Sequence, residues 1–406
     1  MYLSYFDKFY DMEPYLFIDE EEWDYIKKTF DKQDVRESLA KVAMSYPPPY
    51  MDITEKDALK QLQKLKGMRH NEILVEGEWF AREGTEYRYD LTFEGKQQYF
   101  KRNNTGNDAS NYFQQKNRWS VDGTIAPGPH RTWESHKFMT TLIGSAYSLK
   151  LPKIDKSAFR VMIGLRKYIC SQFKPNVAKV LYDKLESKSI LDFSAGWGDR
   201  LAGFYASETG EFYLGIDPRK ENHPIYEEQK QFYEKHRTFF EVDKKSMFVE
   251  YPAEDFEYKE NMYDTVFTSP PYFSVERYSY DDTQSWVRYK DIDSWNKNFL
   301  QKTLGKLWPS IKSGGYLLVN IADVFARTGG QRNMVEICNP MNDFLSTLHD
   351  SEYQGCIGME MAKRPNSGGA GMARASDERF QESTIERAEE TKDKRFCEPI
   401  WIWRKL

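Results

Sequence analysis

Between residues 155 and 405, short apolar runs alternate with stretches of helical periodicity. The runs are SILDF (189–193), FYLGID (212–217), TFFEV (238–242), DTVFTS (264–269) and GGYLLVNIAD (314–323). Apolar spacing predicts helices over 157–172, with Ser157 as a cap, over 176–187, near 223–236 and near 293–311. Strands that alternate with helices predict an α/β fold with a mostly parallel sheet covered on both faces. Two later runs, QGCIGMEM (354–361) and EPIWIWRK (398–405), predict an antiparallel pair at one edge.

Residues 1–150 have a different texture. Helical patterning covers 20–44 and 54–67, the second opening at Thr54 with Asp57. Residues 78–101 alternate aromatic and polar positions, with glycines at the breaks, which predicts two or three antiparallel strands. Residues 102–132 are rich in Asn, Gly, Ser, Gln and Pro and read as loop. The expectation is an α+β N-terminal domain over 1–150 and a catalytic domain over 151–406. The strongly polar segment 364–395 interrupts the second as a long loop, either solvated or ordering on a substrate.

Composition narrows this only slightly. The chain has 406 residues and a formal charge of −5, which argues against a uniformly basic nucleic-acid binder but leaves room for a local basic groove. Four widely spaced cysteines form no CxxC pair, so no zinc site is expected, and they suit a reducing compartment. The start has no basic n-region followed by an apolar run, and no apolar stretch is long enough to span a bilayer. A soluble intracellular protein, with no membrane partner, is the expectation.

The chemistry is concentrated where strands end. In SILDFSAGWGDRLAG (189–203) an apolar strand ends at Asp192, Gly196 and Gly198 follow, and a helix opens near Asp199. Glycines there let backbone N–H groups approach a ligand, and the helix adds its positive end. The next strand ends in Asp217, about twenty residues on, where an acid can hold the hydroxyls of a ribose. The dinucleotide fingerprint GxGxxG fails at Leu201, which favours another adenosine cofactor. Glu254 and Asp255 precede the strand DTVFTS, where a carboxylate can accept from an adenine amine; a solvated acidic loop is the alternative. That strand runs into Ser269-Pro270-Pro271-Tyr272. Two prolines fix φ and donate nothing, leaving rigid carbonyl acceptors beside a flat ring. An extruded nucleobase with an exocyclic amine requires such a pairing.

DFSAGWG, a downstream acid and TSPPYF together resemble the S-adenosylmethionine-dependent DNA amino-methyltransferases, which carry a [DNS]-P-P-[YFW] signature. FKPNVAKVLYDKL (173–185) and EPIWIWRK are similar to further segments of that family, and the resemblance covers about 155–406. It implies a Rossmann-like fold with a seven-stranded sheet and S-adenosylmethionine as cofactor. Asp192, Phe193, Ser194, Ala195, Gly196, Trp197 and Gly198 would cradle the cofactor. Asp217 would hold its ribose, Asp255 or Glu254 its adenine, and Phe173 with Lys174 would border its methionine end. Ser269, the Pro270 carbonyl, Pro271 and Tyr272 would hold N4 of cytosine or N6 of adenine, with Phe273 packed beside; the Ser leans toward cytosine. The family's usual Phe two places after the Asp is here Ser194, with Phe193 one place earlier. About seventy residues separate the two halves of the site, too few for a large recognition domain between them. DNA is the expected partner, ahead of RNA, and a catalytically silent nucleic-acid-binding subunit is the non-enzymatic alternative. Lys101, Arg102, Lys116, Arg118, Trp119 and Arg131 form a basic, aromatic-interleaved stretch that offers contacts to the polymer. Residues 274–294 are either a lid or a connecting loop.

Overall fold

The computed structural model describes residues 2–81, 86–124, 126–328, 331–361 and 395–406, with the side chains of 327–332 excepted. The polar segment 364–395 thus lies outside the described residues except for Arg395. The chain forms two compact units, and their division does not fall at residue 150. One unit is Met1–Glu55, Asn111–Gln172 and Val275–Tyr280; the other is Lys56–Ser110, Phe173–Ser274 and Asp281–Leu406.

The first unit is helical rather than α+β. Its helices include Glu20–Thr29, Lys32–Ser45, His136–Ser148 and Lys156–Arg166. The continuous pattern over 20–44 breaks in two because Asp31 caps a fresh start, its carboxylate accepting from the amides of Gln33 and Asp34. Asp155, not Ser157, caps the helix at 156, accepting from Ala158 N at 2.7 Å. Phe6, Trp23, Leu39, Val42, Ile143 and Phe159 share one buried core. Within the stretch read as loop, residues 107–119 and 129–134 are helical.

The second unit is built on one sheet. Its strands are β1 (Leu74–Glu76), β2 (Trp79–Phe80), β3 (Gln98–Phe100), β4 (Ser189–Asp192), β5 (Phe212–Ile216), β6 (Lys245–Val249), β7 (Tyr263–Thr268), β8 (Ile311–Asn320), β9 (Ser351–Glu360) and β10 (Arg395–Lys405). The order is β1-β3-β9-β10-β8-β7-β4-β5-β6, with β2 on β10. Strands β4 to β8 are mutually parallel, and β10 runs antiparallel to both β8 and β9. Strands β4 to β10 make up the expected number of seven, six of them at the expected runs, and β9 and β10 pair antiparallel. Three short strands from the first 100 residues join this sheet, β1 and β3 extending its edge beyond β9 and β2 pairing with β10, where a separate N-terminal sheet was expected. The third parallel strand is KSMFV, not TFFEV. Phe239 and Phe240 are 97% and 95% exposed in the turn before it, so that apolar run does not enter the sheet.

The connections place a ligand edge. The chain leaves β4 toward β5 and β6 on one side, then returns to build β7 and β8 on the other. Strand order reverses at β4/β7, and open α/β sheets bind ligands outside the carboxyl ends at such a switch point. The registers align those ends: Asp192 lies opposite Gly215, and Thr268 opposite Val319. The loop after Asp192, Asp217, Ser269 and Asn320 thus follow four neighbouring strand ends.

Candidate active site

The glycine loop is held from inside. Gly196 and Gly198 have φ of +58° and +70°, a region that side chains disfavour. Gly198 is also the residue before the helix Asp199–Ala206, and a Cβ there would meet Gln229 Oε1 at 2.4 Å. A Cβ on Gly196 would meet only Ser194 O, at 3.6 Å, so bare backbone faces open space there. Below the loop, Asp192 is fully buried. It accepts from Arg200 Nε at 2.7 Å and Tyr213 Oη at 2.7 Å, and from Ser194 N at 3.2 Å. Arg200 also donates to the Ser194 carbonyl. Burial opposes the guanidinium charge, but the charge of Asp192 overrides it and holds the Arg200 pKa above its ordinary value. Asp192 therefore shapes the loop through Arg200 rather than offering its carboxylate to a ligand.

The helix Asn222–Lys235 holds the loop from the other side. Asn222, Tyr226 and Gln229 recur at helical spacing on one face. Asn222 Nδ2 and Tyr226 Oη donate to the Gly196 carbonyl at 3.1 and 2.5 Å, and Gln229 Nε2 donates to that of Trp197 at 3.4 Å. Ala195 N donates to Ile216 O at 3.0 Å, which ties the loop to the end of β5. The amides of Ser194, Ala195, Gly196 and Gly198 are engaged as well, by Asp192, Ile216 O, Asp217 and Ala195 O, so the loop is held at both its donors and its acceptors. Phe193 is buried, and Trp197 is buried beneath the Arg219 guanidinium, 5.4 Å from its ring. Phe173 packs edge-on to Phe267 and lies 5.0 Å from the Arg200 guanidinium. Lys174 reaches Asn104 Oδ1 at 3.0 Å.

Asp217, at the end of β5, ties the loop to the turn that follows it. Its Oδ2 accepts from Gly196 N at 2.9 Å and its Oδ1 from Arg219 N at 2.8 Å. Burial pushes its pKa up, against the opposing effect of these two amides. Each carboxylate oxygen has two lone pairs, so acceptor capacity remains for hydroxyls. Glu254 and Asp255 are differently placed than a free adenine acceptor would be. Arg288 donates to both, at 2.9 and 2.6 Å, and Lys302 to Asp255 at 2.9 Å. Those two bonds hold the Asp255 carboxyl below the usual carboxylate range. The stretch 274–294 divides: 275–280 belong to the helical unit, whereas Thr283 donates to Pro218 O at 3.5 Å and Arg288 covers the two acids.

On the far side of the switch point, Ser269-Pro270-Pro271-Tyr272 leaves β7. Phe273 turns the chain at φ +51° and packs edge-on to Trp295. Ser269 Oγ donates to Asn320 Oδ1 at 3.3 Å. Tyr272 Oη lies 3.4 Å from the Asn320 carbonyl and 3.3 Å from Glu398 Oε2. Asn320, Glu398, Arg200, Tyr226 and Arg288 had no role in the sequence reading. Only Arg200 left a local sign there, a cation opening the helix after a strand-end acid.

The residues of the basic stretch divide between the two units. Lys101 and Arg102 are exposed after β3 in the sheet unit; the others belong to the helical unit. There Trp119 is buried against Tyr50, 5.0 Å between ring centres, and Arg118 is buried and donates to Gln172 at 3.3 Å. Lys116 and Arg131 are exposed, Arg131 paired with Asp122 at 3.0 Å. Trp119 and Arg118 are thus structural, and the aromatic interleaving is not displayed. All four cysteines are free and buried. Among the described residues no helix is long and apolar enough to cross a membrane.

No protein-family model matches the chain, and no curated protein matches it. Several solved structures are similar to it at low identity and low TM-score. A SAM-dependent methyltransferase from Methanosarcina mazei is 12% identical over 54% of this chain and 93% of its own, with a TM-score of 0.33. One from Archaeoglobus fulgidus is 11% identical over 61% and 99%, at 0.32. A tRNA methyltransferase from Aquifex aeolicus is 13% identical over 58% and 71%, at 0.32. The fold is Rossmann-like α/β. The strand order and the parallel core establish this from the chain itself.

Proposed function

We propose that the chain is an S-adenosylmethionine-dependent methyltransferase that modifies an exocyclic amine of a DNA base, N4 of cytosine or N6 of adenine. The observation that carries this reading is the register of β4, β5, β7 and β8. It sets the bare glycine loop and Asp217 beside the Ser269-Pro270-Pro271-Tyr272 turn at one switch point. The open backbone at Gly196 and the spare lone pairs of Asp217 suit an adenosine cofactor. When bound, the cofactor supplies a methyl group on a cationic sulfur, which leaves as a neutral thioether as the amine nitrogen forms its new bond.

The chain's own part is to prepare the amine. Its lone pair is delocalised into the base, and acceptors facing the amine hydrogens draw the nitrogen toward a tetrahedral form. Ser269 Oγ and the Pro270 carbonyl would serve as such acceptors and stabilise positive charge as it develops. Stacking on Tyr272 holds the base edge at attack distance. The extra proton then leaves to water, so no strong base is required.

Labelled S-adenosylmethionine, incubated with duplex DNA, single-stranded DNA or RNA, tests the reading after digestion to nucleosides. Label in N4-methylcytosine or N6-methyladenine from DNA is the expected result. Label from RNA alone would move the substrate, and no label on any polymer would overturn the proposal. Tyr272→Ala is expected to reduce transfer at least about 100-fold, since stacking is worth about 1–3 kcal/mol per base and positioning adds to it. Cofactor binding by calorimetry should remain unchanged in that variant.

A further inference from the structure

We propose that Asn320 fixes the direction of the Ser269 hydroxyl, so that this face of the site only accepts hydrogen bonds and selects an amine over a carbonyl. The inference deepens the reading above and rests on it.

Asn320 is buried at the end of β8, next to Ser269 through the Thr268–Val319 register. Which end of its amide carries oxygen is settled by the neighbour on β10. Nδ2 donates to the Pro399 carbonyl at 3.1 Å. A turned amide would set two acceptors face to face there, which is unfavourable in a buried position. Oδ1 therefore faces Ser269, 3.3 Å away, and requires a donor. Ser269 has one hydrogen to give and two lone pairs. With the hydrogen directed to Asn320, only lone pairs are left for the substrate. Tyr272 reinforces the bias, since its hydroxyl lies between two acceptors, the Asn320 carbonyl and the Glu398 carboxylate.

A cytosine or adenine amine meets this surface as a donor. Uracil or hypoxanthine, with oxygen at the same place, meets lone pairs with lone pairs. Asn320 is thus a positioning residue that acts through Ser269 and decides polarity without touching the base.

The test is binding selectivity. Fluorescent oligodeoxycytidine is compared with oligodeoxyuridine, and oligodeoxyadenosine with oligodeoxyinosine, each with S-adenosylhomocysteine present. Wild type is expected to prefer the amine member of one pair by about tenfold or more. Asn320→Leu frees the hydroxyl to rotate and donate, and the preference should fall to about threefold or less. Its kcat should fall about tenfold, with KM for S-adenosylmethionine unchanged. In a Ser269→Ala background the same substitution should cost no further kcat. Asn320→Ala removes the same acceptor with less bulk and should lower the preference likewise; it carries the test if Asn320→Leu fails to fold. A folded Asn320→Leu or Asn320→Ala with wild-type preference and kcat overturns the inference. Equal binding of both pairs by a wild type that does methylate DNA overturns it while leaving the proposed activity standing. A wild type that methylates no polymer overturns both.

Discussion

The two halves of the ligand edge are built to different standards. Around the glycine loop, Asp192 and Asp217 are buried and receive contacts of 2.7 to 3.2 Å from a guanidinium, a phenol and three backbone amides, with one longer contact of 3.4 Å from Tyr226 Oη. Across the switch point, Ser269 and Tyr272 are only half-buried, and their contacts run from 3.3 to 3.4 Å. Charge-assisted bonds near 2.7 Å are strong, and neutral ones beyond 3.2 Å are weak. The loop is therefore a finished frame before any ligand arrives, whereas the clamp is held more loosely and keeps lone pairs open to a base amine. The amine adds to these without displacing the Ser269–Asn320 contact, and a cofactor meets a loop that need not reorganise.

The sharpest way to break this contrast is Arg200→Met. It leaves Asp192 buried and without its cation, and should cost about 3–5 kcal/mol in urea unfolding. A loss below about 1 kcal/mol would show that the frame does not depend on the pair. Gly198→Ala comes next. It forces a methyl group against Gln229 at a left-handed position, and should cost about 1–3 kcal/mol and weaken cofactor binding measured by calorimetry. Asp217 sharpens the contrast through pH. Burial raises its folded pKa, so its contribution to stability is present at low pH and declines as pH rises through that value. Cofactor binding should show the opposite sign. It needs the carboxylate, so affinity should fall on acidification, starting above the ordinary carboxylate range, and Asp217→Asn should flatten that dependence. The smallest effect belongs to the clamp: Tyr272→Phe removes only the long hydroxyl contacts and should change unfolding free energy by less than about 1 kcal/mol.

What the sequence shows about these halves follows from the physics of each. The strand ends at Asp192, Asp217 and Thr268 are legible because buried parallel strands are continuous apolar runs that stop abruptly. The third strand is not, because β6 lies at the sheet edge. Its Met247 is exposed, while the more apolar Phe239-Phe240 pair sits in solvent just before it. Strands β1 to β3 are two or three residues long, too short for alternation to reveal which sheet they join. The supports of the site are hidden for a different reason. Asn320 is one polar residue ending an apolar run, and its meaning depends on Pro399 across an antiparallel strand. Trp119 illustrates the converse. A tryptophan between basic residues suggests a stacking surface, but its ring is packed into the helical unit.

The place of β10 in the sheet has a consequence for how the molecule assembles. It lies between β8 and β9, which share no ladder of their own. Until residues 395–405 arrive, the parallel strands and the edge formed by β9, β3 and β1 are two separate pieces. The edge itself joins Phe100 to Met359, about 260 residues apart along the chain. Contacts so distant in sequence close slowly. Completion of the sheet thus waits on its antiparallel strand, and that strand also delivers Glu398 and Pro399 to the clamp. The parallel core with its glycine loop can form early, while the selectivity of the clamp is among the last properties the folding chain acquires.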